Sequence, residues 1–343
     1  MLEKPAIEDS AIVACLRSAF GLNVSHLEFL PLGADVNTAV YRAFNGDDWF
    51  IKLRRGSFLE STVTVPYHLH KQGNRNVIAP IPTRTGNLWV ELNEYKLMVF
   101  PFIEGKDGFT VDLSPEQWSE FGRALKSLHT TALPAEVTAA IPLETFSPEW
   151  RTVVREYLAV AKQRIYSDPV AQQLAALLRQ KESVINQLIE HAERLIPIVQ
   201  ARSLPSIVCH ADIHVGNVLL TTNGTLYIVD WDTLTMAPKE RDLMFIGGGL
   251  GGGGLHPEEE GAAFYLGYGQ TDIDRAAVAY YRCERIVEDI AAYCAQILLT
   301  EGDSADRTEG LAQLRSQFEP HQVVDLALQS VRAFDSPDST TGL

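Results

Sequence analysis

The sequence predicts an α+β protein of two lobes, a small antiparallel, β-rich N-terminal lobe over residues 1–100 and a larger helical C-terminal lobe over 101–333. Three observations carry that reading. Before residue 101 the apolar residues come in short runs rich in β-branched and aromatic types, separated by turn residues. After "PFIEG" they recur three and four residues apart, the period of helices with one buried face. The length of 343 residues gives enough material for a sizeable core in each lobe.

The β-rich runs are "HLEFLPL" (26–32), "AVYRAF" (39–44), "DWFIKLR" (48–54), "LWVEL" (88–92) and "YKLMVF" (95–100). Asn45-Gly46-Asp47 between the second and third is a hairpin signal, so the runs read as an antiparallel sheet. A helix is expected over 59–72, bent by Pro66. Ser114, Pro115 and Gln117 open "SPEQWSEFGRALKSLHT" as a capping box, and Trp118, Phe121, Leu125 and Leu128 form its inward stripe. Helical periods continue through 148–163, 169–198, 272–300 and 305–332, and a disordered tail is expected at 334–343. Three short apolar runs, "SIVCH", "NVLL" and "TLYIVD", interrupt the helices, and Asn223-Gly224 joins the last two into a hairpin.

Composition narrows the function. The 44 acidic residues against 29 basic leave a formal charge of −15. Such a surface repels phosphate backbones, which argues against nucleic acid as a partner, and it attracts cationic small molecules. Cys15, Cys209, Cys283 and Cys294 are scattered without a C-x-x-C pair, which fits a reducing compartment better than a disulfide framework or a zinc site. The start "MLEKPAIEDSAIVACL" carries acids where a signal peptide needs bases. No uninterrupted apolar run of about 18 residues occurs either, so a cytoplasmic protein without a membrane partner is expected.

The chemistry concentrates in "HADIHVGNVLL" (210–220) and "DWDT" (230–233). Asp212 and Asn217 stand five apart, the spacing of a kinase catalytic loop, and Asp230 ends the strand after the hairpin. A hairpin brings its two ends together, so Asn217 and Asp230 can share a magnesium ion while Asp212 reaches a substrate hydroxyl. Phosphoryl transfer needs that division between a base and the oxygen ligands of a metal on the phosphates. It also needs a lysine on an N-lobe strand, held by a glutamate from the helix that follows. "WFIKLRRGSFLES" offers Lys52 among Phe50, Ile51 and Leu53, and Glu60 eight residues on. Gly33 and Asn37 in "LPLGADVNTAVYRA" supply a candidate turn over the phosphates.

Two other chemistries compete. His210, Asp212 and His214 alternate, and on an extended strand they would share a face able to hold zinc for hydrolysis. Gly216-Asn217 argues for a loop there instead. Gly247, Gly249 and Gly252 match G-x-G-x-x-G, with Asp272 about 20 residues on, as a dinucleotide site would have. No strand–helix unit surrounds them and "HPEEE" follows, so a loop of small side chains is the expected reading.

The set resembles the aminoglycoside phosphotransferase and choline kinase-type superfamily over roughly residues 5–330. "FIKL", "PFI" with "GFT", "CHADIHVGNVL", "IVDWD" with "APKERDLMFIGGG", and "YYRCERIVEDIA" carry the likeness. The longer strings resemble the branch that phosphorylates spectinomycin. The resemblance implies a two-lobed protein-kinase-like fold and an ATP- and magnesium-dependent O-phosphotransferase. It also implies a small cationic acceptor, spectinomycin foremost, and a role in antibiotic resistance. By the same resemblance Asp212 is the catalytic base and Asn217 and Asp230 are the magnesium ligands. Lys52 and Glu60 would form the phosphate-positioning pair. Segment 98–102, with Phe100 and Phe102, would take the adenine through backbone groups. His210 would brace the catalytic loop and Asp242 would hold it by hydrogen bonds.

Departures matter as well. Ala211 stands where a protein kinase has arginine, "DWD" stands for D-F-G, and "APKERDLMF" follows without a long activation segment. Protein substrates are therefore not expected. For the acceptor, Glu284 and Glu288 share a face of the 272–300 helix beside Asp289 and could line a cationic pocket. The competing reading is a solvated flank paired with Arg282 and Arg285. The activity itself stays open between this reading, another kinase of the choline or fructosamine type, and a non-catalytic pseudokinase-like binding module. The joint presence of Asp212, Asn217, Asp230 and Lys52 opposes the last.

Overall fold

Alternating runs and tight turns build a five-stranded sheet from β1 (His26–Leu30), β2 (Thr38–Phe44), β3 (Asp48–Arg55), β4 (Val90–Leu92) and β5 (Tyr95–Pro101). Its order is β1-β2-β3-β5-β4 with every neighbour antiparallel. The computed structural model describes residues 4–33, 37–248, 255–300 and 305–336. Later strands are β6 (Gly105–Asp107), β7 (Ile207–Cys209), β8 (Val218–Thr221), β9 (Leu226–Ile228) and β10 (Thr235–Ala237). The helices through the first half are α1 (Asp9–Cys15), α2 (Ser61–Lys71), α3 (Pro115–Thr130), α4 (Ala135–Ala139), α5 (Glu149–Gln163) and α6 (Pro169–Ala201). They are followed by α7 (Glu240–Leu243), α8 (Pro257–Tyr268), α9 (Arg275–Leu298), α10 (Ala305–Ser316) and α11 (Val323–Asp335). Among the described residues no helix is long and apolar enough to cross a membrane.

The chain divides into two units. One comprises Met1–Pro142, Val215–Thr235 and Ala263–Gly269; the other comprises Leu143–His214, Met236–Ala262 and Gln270–Leu343. In the first, period-two alternation sets the two faces of the sheet. Ala39, Tyr41, Ala43, Ile51, Leu53, Leu97 and Val99 pack against Ile12, Leu16 and Phe20 from α1 and the π-turn after it. Each fully buried large apolar side chain there contributes roughly 1.5–3 kcal/mol. Lys52 and its register partner Met98 fall on the opposite face, where Met98 packs with Val63 of α2 and Leu88. The β2–β3 turn is Asn45-Gly46-Asp47, with Gly46 at φ 92°, the left-handed conformation that favours glycine.

The first unit also holds α3. Its capping box forms: Ser114 Oγ accepts from Gln117 N–H at 3.3 Å, and Gln117 Oε1 accepts from Ser114 N–H at 2.8 Å. Trp118, Phe121, Leu125 and Leu128 are all buried. Against them comes the C-terminal part of α8, so close that a Cβ at Gly122 would lie 2.2 Å from Phe264 O and one at Gly267 1.7 Å from Ser119 O. Glycine at both positions lets the two backbones meet. The small sheet β6-β8-β9 is tied in through Ile228 N–H, which donates to Asn76 C=O at 2.8 Å.

In the second unit α9 is the central helix, packed by α5, α6, α10 and α11. Its Ile286, Val287, Ile290, Cys294 and Ile297 are buried. The segment 305–332, expected as one helix, is two, because α10 ends at Ser316 and α11 begins at Val323. Pro320 between them has no N–H and disfavours helix at the residue before it, and His321 takes φ 64°. Of the tail expected at 334–343, α11 includes residues up to Asp335, and 337–343 lie outside the described residues. Gly249 and Gly252 of the glycine-rich stretch lie outside them too.

Candidate active site

In the first unit the β8–β9 hairpin presents Asn217 and Asp230. Its register pairs Val218 with Ile228 and Leu220 with Leu226, and the turn places Gly224 at φ 85°. Val229 N–H donates to Asn217 C=O at 3.0 Å, so Asn217 and Asp230 close the open end of the hairpin. Next to them Trp231 is buried and gives its indole N–H to Ile228 C=O at 3.2 Å. An inward ring between two acids turns both carboxylates away from the core. The side chain of Asp230, whose backbone takes φ 60°, is 53% exposed and that of Asp232 27%. Lys52, only 14% exposed, lies 2.7 Å from Asp232 Oδ2 and 3.3 Å from Asp230 Oδ1. Burial by itself would depress the ammonium pKa, but Asp230 and Asp232 outweigh it and hold it above its ordinary value. Arg54, two residues along the same strand face, lies 3.5 Å from Asp232 Oδ2 and donates to Thr38 Oγ1 at 2.9 Å. Asn217 and Asp230 offer oxygen donors at one hairpin end, a set that fits a hard cation such as magnesium.

In the second unit β7 ends at Cys209 and the chain turns. Ala211 takes φ 67°, which costs a non-glycine residue on the order of 1 kcal/mol or more and needs outside support. Asp242 of α7 supplies it. Its Oδ2 accepts from His210 N–H at 2.9 Å and its Oδ1 from Ala211 N–H at 2.6 Å, and the carboxylate is fully buried. Buried His210 and Ile213 anchor the turn and leave Asp212 and His214 half-buried. Arg285 Nη1 donates to Asp212 Oδ1 at 2.6 Å, and His214 Nε2 stands 3.6 Å from the same oxygen. Burial alone would raise the pKa of Asp212. Arg285, then His214 and His210, outweigh it and hold the carboxyl below the usual range, so it is ionised at neutral pH.

A model of the phosphotransferase enzyme family matches residues 29–281 of this chain. The chain belongs to that family. A spectinomycin phosphotransferase solved with ADP and spectinomycin is 33% identical, with 95% of this chain and 99% of that chain covered and a TM-score of 0.86. Protein StrN of Streptomyces griseus is 27% identical over 256 residues, 71% of this chain and 77% of StrN. Choline kinase from Streptococcus pneumoniae, at 15% identity and a TM-score of 0.56, shares the fold over 95% of this chain and 99% of its own. The two-lobed kinase-like α+β fold expected from the sequence is the fold of these phosphotransferases. The reaction class is transfer of a phosphoryl group to a hydroxyl.

Within this phosphotransferase the residues singled out from the sequence fall as follows. Asn217 and Asp230 meet at the hairpin end and Lys52 reaches Asp230, whereas Glu60 does not reach Lys52. Glu60 is exposed at the N-terminal cap of α2, and the second carboxylate on Lys52 belongs to Asp232. Phe100 meets Phe50 edge-on across the strand pair, with centroids 6.5 Å apart. Phe102 lies under the Arg42 guanidinium, and its N–H is already given to Asp48 C=O at 3.1 Å. Gly33 takes φ 83° and Asn37 C=O accepts from Arg55 N–H, while residues 34–36 between them lie outside the described residues. The hydrolase reading is not supported. His210 is buried, left-handed Ala211 breaks the extended strand it required, and His210, Asp212 and His214 do not gather their ligand atoms into one cluster among the described residues.

The α9 acids divide three ways. Glu284 does not line a pocket. It is buried in an ion pair with Arg151, whose guanidinium also donates to Phe146 and Ser147 carbonyls at 3.1 and 2.9 Å. Asp289 accepts from Arg285 Nε at 2.9 Å and from Gln317 Nε2 at 2.8 Å. Glu288, half-buried, lies 3.4 Å from Arg241. Arg282 donates to Met244 and Ile246 carbonyls and to Ser330 Oγ. The sequence reading thus missed Asp232 and Arg285 as site residues. The alternation in "DWD" and the four-residue spacing of Arg285 and Asp289 were the available signals.

Proposed function

We propose that this protein is an ATP- and magnesium-dependent O-phosphotransferase whose acceptor is a small cationic aminocyclitol, spectinomycin before others. The observation that carries the reading is the likeness, over 95% of the chain, to a phosphotransferase holding ADP and spectinomycin. In this reading Lys52 binds phosphate oxygens of the donor, while Asn217 and Asp230 hold the metal. Magnesium, when bound, neutralises phosphate charge and fixes the oxygens for in-line attack. Asp212 accepts a hydrogen bond from the acceptor hydroxyl, aims its oxygen at the γ-phosphorus and takes its proton as the new O–P bond forms. The bond from that phosphorus to the bridging oxygen breaks, and ADP leaves with its electron pair. A carboxylate of low pKa suffices, because in a loose transition state the nucleophile needs orientation more than early deprotonation. The formal charge of −15 draws in an acceptor whose two secondary amines are protonated near neutral pH.

A coupled assay of ADP release across spectinomycin, aminoglycosides, choline and simple sugars tests the reading. Spectinomycin should stimulate release far above the others. Release that follows choline or a sugar, with spectinomycin inert, overturns the choice of acceptor.

A further inference from the structure

We propose that Arg285 is a positioning residue for Asp212, a strut from α9 that fixes the orientation of that carboxylate and keeps it ionised during turnover. The inference rests on the reading of Asp212 as the base. The arm is held at its root: Arg285 Nε donates to Asp289 Oδ1 at 2.9 Å, one turn along the same helix. Asp289 is fixed in turn by Gln317 Nε2 on its other oxygen, at 2.8 Å. The Phe245 ring lies beside the guanidinium, 5.8 Å from its centroid. A planar fork with one edge fixed has little freedom left, and its Nη1 is aimed at Asp212 Oδ1, 2.6 Å away. That contact is at the short end for a charge-assisted bond. Lysine could supply the charge at this position but not both directed bonds.

The charges around Asp212 explain why a strut is needed. Facing it are Arg285, Asp289 and Tyr293 from α9, and His210 and His214 from its own loop. Burial favours the protonated carboxyl, and Asp289 adds to that tendency. The two histidines oppose it only while protonated, whereas an arginine is charged at every working pH. Arg285 is therefore the permanent charge that keeps the proton off Asp212, and its fixed geometry holds the same carboxylate in one orientation.

The test compares Arg285→Gln, Arg285→Lys and Asp212→Asn with the wild type. It uses pH profiles of kcat/KM for spectinomycin, KM for ATP, and thermal melts. In Arg285→Gln the acidic limb should move toward neutral pH and kcat should fall by ~10-fold or more, with KM for ATP little changed. In Arg285→Lys the limb should stay near that of the wild type, because the charge is kept, while kcat stays low because the fork is lost. Melts recorded at every pH of the profile give the folded fraction there, and a limb that still moves after that correction is not the work of a weakened fold. An unmoved limb in Arg285→Gln, with activity reduced only as the melt predicts, makes Arg285 a purely structural partner and overturns the proposal. Near-normal turnover in Asp212→Asn would instead overturn the reading of Asp212 as base, a separate outcome.

Discussion

Lys52 Nζ lies closer to Asp232, at 2.7 Å, than to Asp230, at 3.3 Å. One cation thus holds two carboxylates that would otherwise repel each other, and Asp230 is the more exposed of the two, as its proposed role as a metal ligand requires. Replacing Asp230 with alanine leaves the Lys52–Asp232 pair intact, so the fold should survive. Calorimetric titration of ATP should then lose the gain in affinity that magnesium gives the wild type. An undiminished magnesium gain in Asp230→Ala would remove Asp230 from the metal site.

Asp242→Ala should loosen the 210–214 turn. His210 N–H and Ala211 N–H both lose their acceptor in a buried place, and each such loss costs about 1–3 kcal/mol. The left-handed Ala211 loses the contact that supports it. Thermal unfolding should show a clearly lower midpoint, and turnover should fall further than the folded fraction alone explains.

Gly267→Ala tests the meeting of α3 and α8. Its Cβ would overlap Ser119 O, a backbone atom that cannot move without shifting the helix, so destabilisation of about 1–3 kcal/mol is expected. Urea midpoints read it directly. Gly224→Ala is a useful contrast, since nothing stands within 4 Å of its Cβ and only its φ of 85° resists.

Glu260 gives a pH dependence with a definite sign. It is buried, accepts from Gly247 N–H at 2.9 Å, and burial pushes its carboxyl up to about 7 from an ordinary value of 4.5. Between those values the folded state binds more protons than the unfolded, so the stabilising contribution is full below 4.5 and is lost as pH rises toward 7. Glu260→Gln removes the ionisation. Its stability relative to the wild type should climb between pH 5 and pH 8 by a few kcal/mol at most, measured by thermal melts.

How much of this was legible depended on distance along the chain. Asn217 and Asp230 belong to one hairpin, so their spacing and the Asn223-Gly224 turn were enough to predict that they meet at its open end. Lys52 was legible as a lysine inside an apolar strand, but its partners were not. Glu60 is eight residues away and Asp232 is 180, and only packing of the hairpin against the sheet's Lys52 face chooses between them. Glu284 was misread although its signal was present. It follows Tyr280 and Tyr281 by four and three residues and precedes Val287 by three, so it shares their buried face. Its partner Arg151, 133 residues earlier, could not be inferred from spacing. The split between α10 and α11 was announced by Pro320, which a period count passes over.

The mass of the product decides whether Asp212 is the base of an ATP-dependent transfer to spectinomycin. The wild type with magnesium, ATP and spectinomycin should yield singly phosphorylated spectinomycin. Asp212→Asn, which keeps the size of the side chain but not the proton acceptor, should form it ~10²–10⁴-fold more slowly while still binding ATP. Unmodified spectinomycin after ATP has been consumed by the wild type would rule out spectinomycin as the acceptor, and an undiminished rate in Asp212→Asn would rule out Asp212 as the base.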